Sequence, residues 1–192
     1  MAGADQSAQQ GPALAPHRVV VVDTNVWLDI HHFRDPQSEP LTAALQSTHW
    51  TAARCEQTDA ELALVLQRPR FSSNPVERLR LLECLRSWQA RTLLLTLGTA
   101  APYRCRDPHD QKFLDLALAA HAWALLTKDK ALLALKRTAL HHRLMIVTPR
   151  QFADQLLPFD ERLQPAERPV PLVRDPIQVS AGVGQAPRLQ LP

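Results

Sequence analysis

The chain has 192 residues, 45% of them hydrophobic and 21% charged, with a formal net charge of +3, so it can fill one ordinary core and meet an anionic polymer without requiring one. Cys55, Cys84 and Cys105 form an odd count at spacings that exclude a disulfide framework and a zinc site, and reduced thiols are expected. No apolar run is long enough to cross a bilayer and the N-terminus lacks the basic start and apolar stretch of a secretory signal, so a soluble, cytoplasmic protein is expected.

Residues 1–16 are small, polar and punctuated by proline, and are expected to form a disordered tail. An apolar strand follows over Arg18–Val22 and runs without a turn into Asp23, Thr24 and Asn25. Hydrophobic periodicity then predicts a helix over 40–47, a strand over 50–53, helices over 59–67 and 75–90, and a strand over 92–96. Further on it predicts a helix over 108–122, a strand over 124–127, a helix over 130–138 and a strand over 144–148. The first, third and fifth strands are continuous apolar runs, the pattern of strands covered on both faces. Residues 156–192 carry seven of the 16 prolines and are expected to be a second disordered tail, which leaves 17–155 as the folded unit.

Strands alternating with helices predict a three-layer α/β/α sandwich around a central, mostly parallel sheet of about five strands. With five glycines, and neither GxGxxG nor the P-loop pattern present, the dinucleotide and P-loop versions of this architecture are disfavoured. Ligands in an open parallel sheet bind beyond the carboxyl ends of the strands, and that is where the first strand delivers Asp23. The segment WALLTKD repeats the event with Asp129. In CRDPHDQKFLDLALAAH, Asp107 caps the helix that Pro108 opens, and Asp110 falls in line with Phe113, Leu114, Ala117 and Leu118 on its apolar stripe. A fourth carboxylate comes from TDAELALVLQRPR, where spacing alone does not separate Glu61 from Asp59.

Each acid has a plainer explanation. Asp23 and Asp129 suit simple helix caps, Glu61 a capping box with Thr58, and Asp110 a favourable charge at a helix N-terminus. Gathered at one partly buried edge, however, four carboxylates would repel one another unless a cation neutralised them. Oxygen-only donors suit a hard divalent ion, Mg²⁺ or Mn²⁺, and such a site suits phosphodiester hydrolysis with one ion or two.

VVVVDTNVWLD, ELALVLQRPRF, CRDPHDQKFLDLALAAHAWALLTKDKALLAL and VTPRQF together resemble the successive motifs of the PIN-domain nucleases, in particular the bacterial subgroup of toxin components of toxin–antitoxin pairs. The resemblance covers residues 18 to about 155, and motif by motif it places the family's four acids on Asp23, Glu61, Asp110 and Asp129, choosing Glu61 over Asp59. It makes Asp107 a cap or outer group, and Asn25 and Thr127 polar positions that orient the carboxylates or a water. It further implies a Mg²⁺- or Mn²⁺-dependent endoribonuclease, homodimeric and held inactive by a small antitoxin. The chain departs from the subgroup at Gln111, where a third Asp is common and an accessory ligand is thereby lost, and at Lys128, where a glycine is usual. Lys128 is expected to project into solvent, with contact to substrate phosphate as the alternative.

Arg104, Arg106, Lys112 and Lys130 flank the acidic motifs and are candidates to track an RNA backbone, against an ordinary solvated surface. The pairs His31-His32 and His141-His142 are read as surface or packing groups, Trp27 as core, and Leu79, Leu82 and Leu85 as interior packing. Two other classes compete with the nuclease. A non-cleaving PIN-like module would bind RNA or protein, and a haloacid-dehalogenase-type phosphatase would need a second Asp where the chain has Asn25.

Overall fold

A computed structural model describes residues 18–157; the two expected tails lie outside the described residues, apart from Leu156 and Leu157. Five parallel strands form one sheet in the order β3-β2-β1-β4-β5. They are β1 (Arg18–Val22), β2 (Trp50–Arg54), β3 (Leu93–Leu94), β4 (Ala124–Leu126) and β5 (Met145–Val147). The chain winds outward from β1 through β2 to β3, then crosses back to β4 on the other side of β1. The strand order therefore reverses between β1 and β4, and a crevice opens there beyond their carboxyl ends.

Helices cover both faces because successive side chains of a buried strand point to opposite sides. Val21 and Leu125 pack with Phe113, Leu114 and Leu116 of α6 (Gln111–Ala119) and with Leu132 of α7 (Lys130–Leu133) and Ala139 of α8 (Lys136–Leu140). Val20, Val22 and Leu126 face the other way, onto Val26 of α1 (Thr24–Leu28), Leu41 and Leu45 of α2 (Glu39–Gln46), and Phe152 of α9 (Pro149–Gln155). A smaller cluster joins α3 (Glu56–Leu66), α4 (Pro69–Ser72) and α5 (Pro75–Gln89) through Leu62, Val65, Phe71, Leu81 and Leu85. The α/β/α sandwich is thus as the sequence predicts, with every observed strand pair parallel.

Several local expectations change. The third strand shrinks to two residues at one edge of the sheet, where Leu93 and Leu94 are 42% and 57% exposed, unlike Ile146 and Val147 of the other edge strand, which are buried. Helix α3 starts at Glu56, not 59, since Cys55 rather than Thr58 is the N-cap of its capping box, and Thr58, at N3, accepts the Cys55 N–H. Glu61 therefore closes no box. On α5 the inward residues are Leu81 and Leu85, four apart, while Leu79 is 62% exposed and lies outside the interior stripe. Trp27 and His31 do pack, ring on ring at 5.6 Å, with Cys84 Sγ 3.2 Å from His31 Nδ1.

Helix α9 is an addition to the predicted elements. Thr148 at the N-cap, Pro149 at N1 and Gln151 at N3 form a capping box that a sequence can show. Its Phe152 is wholly buried and meets Trp50 edge-on at 4.9 Å. Phe152→Ala should cost about 3 kcal/mol in urea unfolding, through lost burial and the cavity left behind. A cost below about 1 kcal/mol would show that α9 contributes little to the core.

Candidate functional site

The register of β1 against β4 brings two acids together. Val22 pairs with Leu126, so Asp23 and Thr127 leave the sheet side by side. The ladder continues past the strand ends, with the Asp23 N–H donating to Leu126 O and the Thr127 N–H to Val147 O, each at 3.0 Å. The Thr127 hydroxyl, fully buried, donates to Asp23 Oδ2 at 2.7 Å and accepts from the Asp129 N–H at 2.9 Å. One hydroxyl thus links both strand-terminal acids. Both are also caps: Asp23 Oδ1 accepts from the Asn25 N–H, and Asp129 Oδ1 from the Ala131 and Leu132 N–H groups.

Two further acids reach the same edge from the helices. Burial holds the Asp23 carboxyl at about 6, against an ordinary 3.8, and the negative charges of Glu61 and Asp129 push in the same direction while the Thr127 and Asn25 hydrogen bonds oppose. Asp110, on the 3₁₀ turn Pro108–Asp110 that opens α6, is likewise raised to about 6 by burial, then by Asp129, Asp23 and Asp107, with Lys112 opposing. Glu61 and Asp129 thus act on Asp23, and Asp129 and Asp23 on Asp110, which links acids from four separate segments near the reversal of strand order. Asp59 is not among them, since it pairs with Arg54 and accepts from Gln89 Nε2 on the α5 side of α3. Of the two acids that spacing left open, Glu61 is the one whose charge acts on Asp23.

The flanking residues divide. Asp107 caps the turn through the His109 N–H and adds its charge to Asp110. Asn25 offers its backbone N–H to Asp23 while its side chain is exposed. Gln111 is turned away from the acids, its amide tying the Cys105 N–H, Tyr103 O and Asp115 Oδ1, so it staples the loop ahead of α6 and stands in no ligand position. Lys128 does not project free into solvent and does not stand ready for phosphate: it lies 2.8 Å from Asp29 Oδ2 and 2.6 Å from Asp35 Oδ2, and pins the α1–α2 connection to the end of β4. Asp29 and Asp35 are the partners that sequence reading missed, because the contact spans 93 residues and has no local pattern. Lys112 pairs with Glu61. Arg104, Arg106 and Lys130 are exposed around the acidic edge.

The donors fit a hard divalent cation in kind. They are oxygen only, two are held above the ordinary carboxylate range, and Glu61 Oε2 is buried without accepting a hydrogen bond, although the Lys112 ammonium lies beside it. They are not yet closed on one point: among the described residues no three His, Cys, Asp or Glu stand grouped for an ion. Three of the four acids are instead held by partners of their own, Asp129 by backbone N–H groups, Asp23 by Asn25 and Thr127, and Glu61 by Lys112.

The PIN domain family matches residues 19–131, from β1 to the first turn of α7, a span that contains all four acids. No curated protein sequence matches the chain. Among solved structures, VapBC2 from Rickettsia felis bound to a DNA fragment from their promoter is similar at 16% identity and a TM-score of 0.49, over 67% of this chain and 96% of that one. The PIN domain of RRP44 from T. brucei is similar at 14% identity and a TM-score of 0.40, over 84% of this chain and 96% of that one. With more than half of its 192 residues matched by that one family, the chain belongs to the PIN-domain family.

Proposed function

We propose that the protein is a Mg²⁺- or Mn²⁺-dependent endoribonuclease, the toxin of a toxin–antitoxin pair. The observation that carries the nuclease reading is the convergence of Asp23, Glu61, Asp110 and Asp129 on the crevice between β1 and β4, with Asp23 and Asp110 resisting ionisation. Carboxylates so placed ionise at a cost that a cation relieves, and phosphodiester hydrolysis uses one. Asp23, Asp110 and Asp129 would hold the principal ion, and Glu61 would complete the set or position the attacking water. When bound, the ion supplies activation of that water and charge stabilisation of the leaving oxygen.

The remaining roles follow from the contacts. Thr127 fixes the Asp23 carboxylate, so that its orientation does not change when substrate arrives. Asp107 shapes the turn that presents Asp110. Arg104, Arg106 and Lys130 are exposed where an RNA backbone would cross, and would take up phosphates without reading sequence. The toxin assignment, the small antitoxin that restrains the enzyme and the homodimer rest on the resemblance of the motifs to the bacterial subgroup, and the cytoplasmic location rests on the cysteine pattern and the N-terminal sequence.

A non-cleaving RNA-binding module is the second reading, favoured by the acids not being grouped for an ion as they stand. The full chain incubated with RNA separates the two. Cleavage in Mg²⁺ or Mn²⁺ that stops in EDTA and returns on adding the ion supports the nuclease. RNA that is retained but stays whole in every ion supports the binding module.

A further inference from the structure

We propose that Lys112 is a built-in counter-ion: it holds Glu61 in the metal-free protein and yields it to a divalent cation, so metal affinity is set by competition with one ammonium. The inference rests on the metal-nuclease reading of the site.

Lys112 is the second residue of α6 and its Nζ lies 2.5 Å from Glu61 Oε2, with the two side chains 17% and 29% exposed. The same ammonium donates to His109 O and acts on Asp110, so a single charge serves two of the four acids. It serves Glu61 poorly. Glu61 Oε2 is buried and accepts no hydrogen bond of good geometry, so the attachment is Coulombic and without direction. A small divalent ion carries twice the charge and can also engage the carboxylates that Lys112 does not reach. Among the described residues, no Lys or Arg side chain hydrogen-bonds Asp23 or Asp129.

The ammonium is then free at the rim that a phosphodiester would approach. In the metal-free state Lys112 offsets part of the negative charge of Glu61 and Asp110, and in the loaded state it turns its three N–H donors toward phosphate. A fixed positive charge near the ion opposes it even across water, which at a separation of roughly 5 Å corresponds to about tenfold in affinity, less at high salt.

The test is calorimetric titration of Mn²⁺ into the full chain, comparing wild type, Lys112→Met and Lys112→Arg at low and high salt. The expected result is about tenfold tighter Mn²⁺ binding by Lys112→Met at low salt, a gap that narrows at high salt, and affinity within about twofold of wild type for Lys112→Arg, which keeps the charge. RNA cleavage at saturating Mn²⁺ should show a higher KM in Lys112→Met. Should that variant fail to fold, Lys112→Gln carries the same expectation. Equal or weaker Mn²⁺ binding by the neutral variant overturns the role of Lys112 and leaves the metal reading standing. No detectable Mn²⁺ binding by any of the proteins overturns both.

Discussion

Asp110→Asn is expected to abolish RNA cleavage and yet to raise the melting temperature of the metal-free protein. The two effects have one cause. Asp110 is held at about 6 by burial and by the charges of Asp129, Asp23 and Asp107, so at neutral pH its ionised form is a cost to the folded state. Asparagine removes that cost while keeping the shape. The gain is about 1 kcal/mol after allowing for the part of the side chain that water reaches, or about 3 °C in a chain of this size. The same change removes a ligand, and a bound ion contributes several kcal/mol to a phosphoryl transition state, so the cleavage rate should fall by roughly a thousandfold. Thermal melts in EDTA beside cleavage assays in Mg²⁺ read both quantities. A variant that loses activity and stability together would mean that Asp110 is a structural cap.

The pH dependence of stability should differ sharply between wild type and Asp23→Asn. A carboxyl whose folded pKa lies above its unfolded value favours folding while protonated. Its contribution is complete below about 3.8 and is lost as pH rises through about 6. For Asp23, which is 3% exposed, the loss between pH 4 and pH 7 amounts to about 3 kcal/mol at 1.4 kcal/mol per unit. Asp23→Asn lacks the titration, so wild type should lose ground to it across this window in EDTA, by urea unfolding. Saturating Mg²⁺ should return the loss at pH 7 to the wild type and not to the variant, because the ion replaces the proton as partner of the carboxylate. A difference between the two proteins that stays flat from pH 4 to pH 7 would show that Asp23 is not strained by its surroundings, and the argument for a cation would lose its main support.

Much of the architecture was legible because its signals are local. The run Val19–Val22 ending on Asp23, and Leu125 and Leu126 leading to Asp129, announce buried parallel strands with acids at their carboxyl ends, and the periodicity of Phe113, Leu114 and Ala117 announces α6. Where a signal was ambiguous, context settled it. An apolar run fits a covered strand and an uncovered one equally: β3 and β5 are both edges, yet Leu93 and Leu94 are exposed while Ile146 and Val147 are buried. Cys55 is a rare N-cap, so its capping box, with Thr58 at N3, moves the start of α3 by three residues from 59 to Glu56.

The amino-acid sequence by itself determined the layered α/β class, the strand-terminal positions of Asp23 and Asp129, and the family, since each is written in residues that are close together along the chain. Only the tertiary structure decided that Gln111 staples a loop and that Lys112 and Lys128 are already held by carboxylates. Those outcomes depend on charges brought together across the fold, where Coulomb attraction and desolvation act on distance in space and leave no period or spacing in the chain to read.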